Sequence, residues 1–234
     1  MHGLILAAGA GSRLVNSGLV TPKPFLEVGA RTLVDRAVAV LDDLGASTLT
    51  CLVREEHAVA AAALVGARAR IIPCATPSSL HTLALGFAAL PPGPVFCTLV
   101  DSVMRTEDWR RVFAVTAADL AAGADAVITV TPFADDERPL YVTRGPGGRV
   151  DRVTDLPILP VCVAGGVYGF GEEARTLTTD LLRRGRSRLR SLLTLMVALG
   201  LDVTSTMVER IVDVDRRADL DAARELLADE RGIW

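Results

Sequence analysis

The residue of this sequence best suited to chemistry is its one lysine. Of 25 lysine and arginine residues, only Lys23 is a lysine, and it lies between Pro22 and Pro24. All the other residues of this group are arginines. The single lysine therefore indicates a position that requires a compact ammonium instead of a planar guanidinium. The flanking prolines restrict the backbone around that ammonium. We interpret Lys23 as a functional cation; the alternative is a lysine that has survived by chance.

A loop of small residues follows the first apolar segment and could bind phosphate. It reads Leu6-Ala7-Ala8-Gly9-Ala10-Gly11-Ser12-Arg13-Leu14. Small residues let backbone N–H groups approach and surround a polyphosphate, and ligands of open α/β sheets bind beyond the carboxyl ends of strands, where this loop lies. The dinucleotide-binding fingerprint requires a glycine at position 14, where this chain has Leu14. The spacing of the Walker A motif is also absent. The loop therefore predicts nucleotide binding of another kind.

Two later carboxylates could hold a divalent cation. Asp101 directly follows a predicted strand, and Asp213 precedes the last predicted helix. Carboxylate oxygens suit Mg²⁺, which phosphoryl transfer requires to screen charge on the phosphate oxygens. Asp101 and Asp213 are thus candidate Mg²⁺ ligands, with helix capping as the alternative role. We expect Asp215 to cap the last helix and Asp219 to stabilise its first turn, although ligation by Asp215 instead of Asp213 stays open.

The glycine loop and the lysine segment Thr21–Leu26 together resemble a known paired signature. It is that of the nucleotidyltransferase superfamily, which includes sugar-1-phosphate nucleotidyltransferases, MobA-like NTP transferases and phosphocholine cytidylyltransferases. The resemblance implies a three-layer α/β/α fold, Rossmann-like and similar to the GT-A fold, around a mainly parallel mixed sheet. It also implies that the glycine loop holds the base and the triphosphate.

The same resemblance implies roles for four charged residues. Arg13 corresponds to the arginine that neutralises the β- and γ-phosphates, and Lys23 to the lysine that bridges phosphates at the reacting α-phosphorus. The segment Asp213–Leu220 is similar to the closing motif of the family. This similarity implies that Asp101 and Asp213 are the two metal ligands.

One departure from the family pattern concerns the base. Sugar nucleotidyltransferases carry a glutamine that helps to read it, where this chain has Cys74, and a thiol cannot make the paired hydrogen bonds of an amide. We expect backbone groups of Leu6–Gly9 and the hydroxyl of Ser78 or Ser79 to read the base instead. The stretch from Ser78 to Leu83 is also similar to one in phosphocholine-type cytidylyltransferases, so a pyrimidine donor, CTP or UTP, stays open.

A second departure concerns the acceptor. Many sugar-specific members carry Glu-Lys-Pro where this chain has Val153–Pro157, a stretch without a cation. Arg152 and Arg144 are candidates to substitute for that lysine, and the sequence leaves their orientation open. The segment Ala164–Tyr168 matches a family strand that lines the acceptor pocket. The acceptor is therefore expected to be a small phosphorylated metabolite, foremost a sugar 1-phosphate, with an alcohol phosphate or a phosphonate as the alternative.

Alternating elements must position these residues. Amphipathic stretches near 32–44, 55–65, 80–90 and 107–122 predict helices, and strands alternating with helices favour a mainly parallel sheet covered on both faces. A hairpin over 140–153, a strand over 161–170, helices near 172–184 and 187–200, strands at 202–206 and 208–212 and a helix at 216–229 follow. We expect one domain, 1–234, with an NTP-binding half (1–130) and an acceptor-binding half (131–234). The first five strands are predicted at Gly3–Ala7, Thr48–Val53, Ala69–Pro73, Val95–Val100 and Ala126–Val130.

Composition narrows the class of protein. Half of the residues are hydrophobic, which is ample for a core, but the net charge of −3 argues against a nucleic-acid partner. No apolar run approaches the roughly 18 residues of a membrane span, and no secretory signal is evident. The four cysteines form no CxxC pair, so we expect buried free thiols in a cytoplasmic protein, and no histidine and cysteine cluster suggests zinc.

Two other classes of function remain as alternatives. A GT-A glycosyltransferase could use Asp213-Val214-Asp215 as its DxD motif, but that motif should end a mid-chain strand, and such an enzyme does not need Lys23. A non-catalytic relative could bind nucleotides, but it would not need Arg13, Lys23 and both aspartates. The sequence therefore predicts a Mg²⁺-dependent enzyme that transfers a nucleoside monophosphate from an NTP and releases pyrophosphate.

Overall fold

The computed structural model describes residues 1–9, 11, 20–133 and 138–228. Thirteen strands lie in these ranges: β1 (His2–Ala7), β2 (Glu27–Val28), β3 (Arg31–Thr32), β4 (Leu49–Arg54), β5 (Arg70–Cys74), β6 (Val95–Leu99), β7 (Ser102–Val103), β8 (Ala126–Thr131), β9 (Tyr141–Arg144), β10 (Val150–Thr154), β11 (Val163–Phe170), β12 (Val203–Met207) and β13 (Val212–Asp213). The α-helices of the same ranges are α1 (Leu33–Asp43), α2 (Ala58–Val65), α3 (Ser79–Ala89), α4 (Thr106–Ala121), α5 (Glu173–Arg183), α6 (Leu189–Ala198) and α7 (Arg217–Leu226).

The central sheet contains nine of the described strands. β1 lies between β4 and β6 and is parallel to both, and β5 extends the sheet beyond β4. On the other side β11 lies antiparallel between β6 and β8, and β12 pairs in parallel with β8. β9 and β10 form the predicted hairpin, which joins β11 through the pair Val163 and Tyr141. β1, β4, β5, β6, β8 and β12 therefore run in one direction, and β11 runs against them.

Side chains alternate along β1 and place a layer of helices on each face of the sheet. Ile5 packs in a buried cluster with side chains of α1, α2, α4 and α7. Leu4 and Leu6 pack in a second cluster with side chains of α3, α5 and α6. This alternation is what the period of two residues in a strand produces. The α/β/α, Rossmann-like fold with a mixed sheet of mostly parallel strands is thus confirmed.

Both buried clusters draw side chains from the two halves of the chain. Ile5 and Leu220 belong to one cluster, and Leu4 and Met196 to the other. The assignment of residues 1–130 to NTP binding and 131–234 to acceptor binding stays a prediction. All four cysteines are buried and free, and no helix in the described ranges is long and apolar enough to span a membrane.

Short strands are where the structure departs from the sequence pattern. The strand predicted at 208–212 is wrong in extent, because only Val212 and Asp213 form β13. Val208 instead donates its N–H to the carbonyl of Val130, 2.9 Å away, and prolongs the line of β12. The antiparallel pair of β13 with β7 is too short to leave a periodic pattern in the sequence.

Candidate active site

A cleft of about 450 Å³, here the first cleft, opens at the carboxyl ends of β1, β4 and β6. These strands are parallel, so the residues at their ends meet at one edge of the sheet. The first cleft contains every predicted site residue of the described ranges except Asp213. Ala10, Ser12 and Arg13 lie outside those ranges. The residues that line the first cleft are Leu6, Ala7, Ala8, Gly9, Gly11, Lys23, Arg54, Thr76, Pro77, Ser78, Ser79, Thr82, Leu99, Val100, Asp101 and Asp215.

The glycine loop approaches the lysine closely. Gly11 has a φ of +59°, in the left-handed region that favours glycine, and a Cβ there would lie 3.4 Å from the Cβ of Lys23. The start of the loop is fixed to the end of β6, because Val100 donates its N–H to the carbonyl of Leu6 at 3.1 Å. The backbone of Gly11 therefore lies close to Lys23.

Lys23 is held in a short 3₁₀ turn, Lys23–Phe25, that begins after Pro22. The side chain is only 9% exposed. Its Nζ donates to Asp101 Oδ2 and to Asp215 Oδ1, the latter at 2.5 Å. Burial alone would lower the pKa of Lys23, but the carboxylates of Asp101, Asp215 and Asp213 outweigh burial and raise that pKa above its ordinary value of 10.5. The ammonium is thus charged at neutral pH.

The β7–β13 pair brings Asp101 and Asp213 together. Asp213 is the register partner of Ser102, the residue after Asp101. Val214 also donates its N–H to the carbonyl of Asp101 at 3.1 Å. Two aspartates that are far apart in sequence therefore lie at one end of the sheet, as the sequence predicts for a pair of metal ligands.

One oxygen of Asp101 suits a cation. Asp101 is buried, and its Oδ1 has no hydrogen-bond partner among the residues that the structure describes. A buried carboxylate oxygen without a donor is costly, and a hard cation would satisfy it. The described ranges hold no group of three or more His, Cys, Asp or Glu placed to bind a metal. Because Mg²⁺ commonly takes one or two carboxylates and completes its shell with phosphate oxygens and water, Asp101 and Asp213 still fit it.

The prediction that Asp215 caps the last helix is wrong. The N-terminus of α7 is instead satisfied by Asp219, whose Oδ2 accepts from the N–H groups of Arg216 at 2.7 Å and Asp215 at 3.0 Å. This contact confirms the role expected of Asp219. Because Asp219 reaches back to the first turn, the carboxylate of Asp215 can turn to Lys23.

The two serines expected to read the base both line the first cleft, but each already has a structural contact. Ser78 Oγ caps α3 and lies 2.7 Å from His81 Nδ1. Ser79 Oγ accepts from the N–H of Leu189 at 3.1 Å. Arg54, which sequence reasoning missed, also lines this cleft. Its signal was its position at the end of β4, next to β1 and the glycine loop.

A second cleft, of about 330 Å³, adjoins the first. Asp101 and Asp215 line both clefts and hold Lys23 between them. Asp213 lies in the second cleft, and so do three residues of the segment Ala164–Tyr168, as expected. The lining residues are Ser79, Leu99, Asp101, Arg138, Leu140, Ala164, Gly166, Tyr168, Arg188, Leu189, Arg190, Asp213 and Asp215.

Arg152 and Arg144, the candidate substitutes for the missing lysine, lie outside the second cleft. Arg144 donates through Nε to Ser205 Oγ at 2.8 Å, and Arg152 is exposed on β10, and neither lines the second cleft. The cations come from Arg138 and from the start of α6, where Arg188 and Arg190 lie. The prediction considered only arginines near Val153–Pro157 in the sequence. The helix α6, which begins more than thirty residues after that stretch, supplies the arginines of this cleft instead.

Comparison with known proteins assigns this chain to a family. A profile of the MobA-like NTP transferase domain matches residues 3–194, whereas no curated protein matches the sequence. A Bacillus anthracis protein assigned as a glucose-1-phosphate thymidylyltransferase has a TM-score of 0.84 and 19% identity over 98% of this chain and 96% of its own. The inositol-1-phosphate CTP transferase of T. maritima gives 0.81 and 18%, with coverages of 99% and 96%.

A third similar structure is the CTP:phosphocholine cytidylyltransferase of Streptococcus pneumoniae. Its TM-score is 0.76, with 16% identity, and the match covers 97% of this chain and 98% of that one. At such identities the similar structures establish the fold, while the profile covers most of the chain and establishes the family. The chain belongs to the MobA-like NTP transferase family, whose members are NTP-dependent nucleotidyltransferases.

Proposed function

We propose that this nucleotidyltransferase moves a nucleoside monophosphate from an NTP to a small phosphorylated metabolite, foremost a sugar 1-phosphate, and releases pyrophosphate. One observation carries the proposal. Lys23 lies between Asp101 and Asp215, which line both clefts. The first cleft would hold the NTP and the second the acceptor, so that both phosphates meet beside one buried ammonium.

The chemistry needs little from the protein beyond position and charge. An oxygen of the acceptor phosphate is already an anionic nucleophile, so it can attack the α-phosphorus without a strong general base, and the bond to the leaving pyrophosphate breaks as the new P–O bond forms. Lys23 would stabilise the charge at the α-phosphate, and Arg13 the charge on the β- and γ-phosphates. Mg²⁺, held by Asp101 and Asp213, would screen the remaining phosphate charge.

The donor contacts are also proposals. Backbone groups of Leu6–Gly9 would approach the base, and Gly11 the triphosphate, together with Ala10 and Ser12. Arg54 adds donors to the lining of the first cleft that suit base or phosphate acceptors. The hydroxyls of Ser78 and Ser79 can each still make a further hydrogen bond beside their structural contacts.

A cytidylyltransferase that acts on an alcohol phosphate or a phosphonate is the second candidate. Two of the similar structures carry names with CTP as donor, one with inositol 1-phosphate and one with phosphocholine as its partner substrate. That observation supports a test of CTP before the other nucleotides. A relative that binds nucleotides without turnover is a third candidate.

The deciding experiment measures pyrophosphate release with ATP, CTP, GTP and UTP against glucose 1-phosphate, inositol 1-phosphate, phosphocholine and a phosphonate. We expect Mg²⁺-dependent release with a sugar 1-phosphate. A protein that binds an NTP but releases no pyrophosphate with any acceptor would be the non-catalytic relative.

Asp101→Ala is the variant that tests the chemistry within this assay. We expect it to lower turnover by at least about 100-fold, because both Lys23 and the proposed metal lose a carboxylate. Its fold can be checked by circular dichroism, since Lys23 keeps Asp215 as a partner. A variant that keeps more than about a tenth of the activity at saturating Mg²⁺ would contradict the role of Asp101.

A further inference from the structure

We propose that Arg188 and Arg190, with the hydroxyl of Tyr168, form the acceptor-binding wall of the second cleft, and that they select a hydroxyl-rich phosphate ester, a sugar or polyol phosphate. This inference rests on the proposed function. It names the class of acceptor and assigns binding to side chains at the start of α6. The acceptor's phosphate would meet cations there, and its hydroxyls would meet Tyr168.

Arg190 is held in part by Asp155, which belongs to Val153–Pro157, the stretch that lacks the lysine of the family pattern. Its Nη1 donates to the carboxylate of Asp155, and its Nη2 donates to the carbonyl of Arg138 at 3.0 Å. The side chain is 26% exposed, so it reaches solvent within the cleft. A guanidinium has five N–H donors, and these two contacts leave others for an anion. Asp155 thus acts as the anchor of a cation that comes from a different element.

Arg188 provides the second cation of the wall. Its side chain makes no hydrogen bond or ion pair with any residue of the described ranges, and it lies in the same cleft as Arg190. A cleft of about 330 Å³ holds one small molecule. A ligand whose phosphate lies at Asp101 would therefore share this cleft with both arginines.

Tyr168 is the polar group that points to a ligand. It is only 6% exposed, it lines the second cleft, and its hydroxyl contacts no hydrogen-bond partner among the described residues. Burial raises the pKa of this hydroxyl, the Asp213 carboxylate raises it further, and the Arg190 guanidinium opposes the rise. The phenol is therefore a neutral donor in a cleft that both aspartates and arginines line. A substrate hydroxyl or phosphate oxygen could satisfy it.

The same wall disfavours a quaternary ammonium such as that of phosphocholine. Such groups are bound by the faces of several aromatic rings. Tyr168 is the one aromatic residue among the described residues of the second cleft, and its ring stacks on Phe170 with 5.8 Å between centroids. The two arginines of the wall, with Arg138 beside them in the same cleft, would repel a quaternary ammonium placed against them. Similarity of fold to a phosphocholine enzyme therefore does not extend to the chemistry of this wall.

The test compares Arg188→Ala with Arg184→Ala. Both arginines are exposed and neither side chain has a partner in the described ranges, but only Arg188 lines the second cleft. We expect Arg188→Ala to raise the KM for glucose 1-phosphate or inositol 1-phosphate by at least about tenfold, since a charge-assisted contact is lost. The KM for the NTP should stay within about twofold, and Arg184→Ala should change neither value.

Tyr168→Phe adds a second readout. Removing only the hydroxyl should raise the same acceptor KM by about three- to tenfold, with unchanged thermal stability. An acceptor KM that neither Arg188→Ala nor Tyr168→Phe changes would overturn the assignment. A wild-type protein that prefers phosphocholine to both hydroxyl-rich esters would overturn the selectivity.

Calorimetric titration separates this inference from the proposed function. Glucose 1-phosphate, inositol 1-phosphate and phosphocholine are titrated into the intact protein, with no turnover required. If the wild type binds a hydroxyl-rich ester and Arg188→Ala does not, the site stands even when no pyrophosphate is released. If the wild type binds neither ester while it still binds an NTP, the acceptor site is refuted and the NTP site is not.

Discussion

Lys23 shows what one side chain can contribute when its charge is enclosed. Two carboxylates neutralise it, and the side chain is nearly buried. An ammonium can pass between carboxylate oxygens and phosphate oxygens as a compact charge, whereas a guanidinium has a fixed planar fork. The lysine that sequence alone marked as unusual thus lies where two carboxylates enclose its Nζ.

We expect Lys23→Arg to lower turnover by at least about tenfold, because the larger fork cannot lie between the carboxylates and the phosphates in the same way. Steady-state rates at saturating substrate test this, with the melting temperature measured on the same samples. Lys23→Ala should be slower still. An arginine variant with nearly the wild-type rate would show that any cation suffices here.

Asp215→Asn should act on turnover and not on helix stability. The change removes one of the two charges that hold Lys23, and it leaves the Asp219 contacts of α7 in place. We expect turnover to fall by about tenfold with a small change in melting temperature. A variant with normal turnover and a large loss of stability would contradict this role and would support capping of α7 by Asp215.

At the scale of elements, the sequence predicted what has a period and missed what does not. The long helices and the core strands carry clear alternation, so α4 and β8 lie close to their predicted ranges. The β7–β13 pair has two residues on each side, too few for a pattern, yet it unites Asp101 and Asp213. The contact of Arg190 with Asp155 joins α6 to the end of β10, and no local signal announces such a long-range pair.

The first turn of α7 provides a test of stability at this scale. Asp219 is buried and accepts two backbone N–H groups, so Asp219→Ala should lower the free energy of unfolding by about 1–2 kcal/mol. Asp221→Ala, on the exposed side of the same helix, removes only a surface ion pair with Arg224 and should cost much less. Urea denaturation of both variants measures the difference. Equal losses would mean that Asp219 does not cap the helix.

At the scale of the whole molecule, two clefts share one wall of carboxylates. Arg54 lies in the first cleft and the α6 arginines lie in the second. Substrate affinities should therefore respond separately to substitutions on either side of Lys23. The predicted NTP-binding residues of the described ranges all line the first cleft, and their roles stay predictions. The arginines of the second cleft could not be predicted from sequence, because two of them lie at the start of α6, which no family motif includes.

Arg54→Ala tests this separation. We expect it to raise the KM for the NTP by about three- to tenfold, since it removes donors from the lining of the first cleft, while the KM for the acceptor stays unchanged. Arg70→Ala, at the exposed start of the neighbouring β5, is the matched control. A rise in the acceptor KM alone would place Arg54 on the wrong side of the site.

The enclosed lysine also makes the protein its own chemical reporter. Lys23 is the single ε-amine of the chain, so an acylating reagent that attacks amines can modify no other side chain of this type. Only the unprotonated amine is nucleophilic, and the raised pKa together with burial keeps that form scarce until the pH rises above the ordinary lysine value of 10.5. Acylation of intact protein, followed by mass spectrometry of the segment Thr21–Leu26, would therefore give one mass increment at one position. A bound ligand that draws the ammonium away from Asp101 and Asp215 would change the rate of that increment, so occupancy of the site could be measured without observing any turnover.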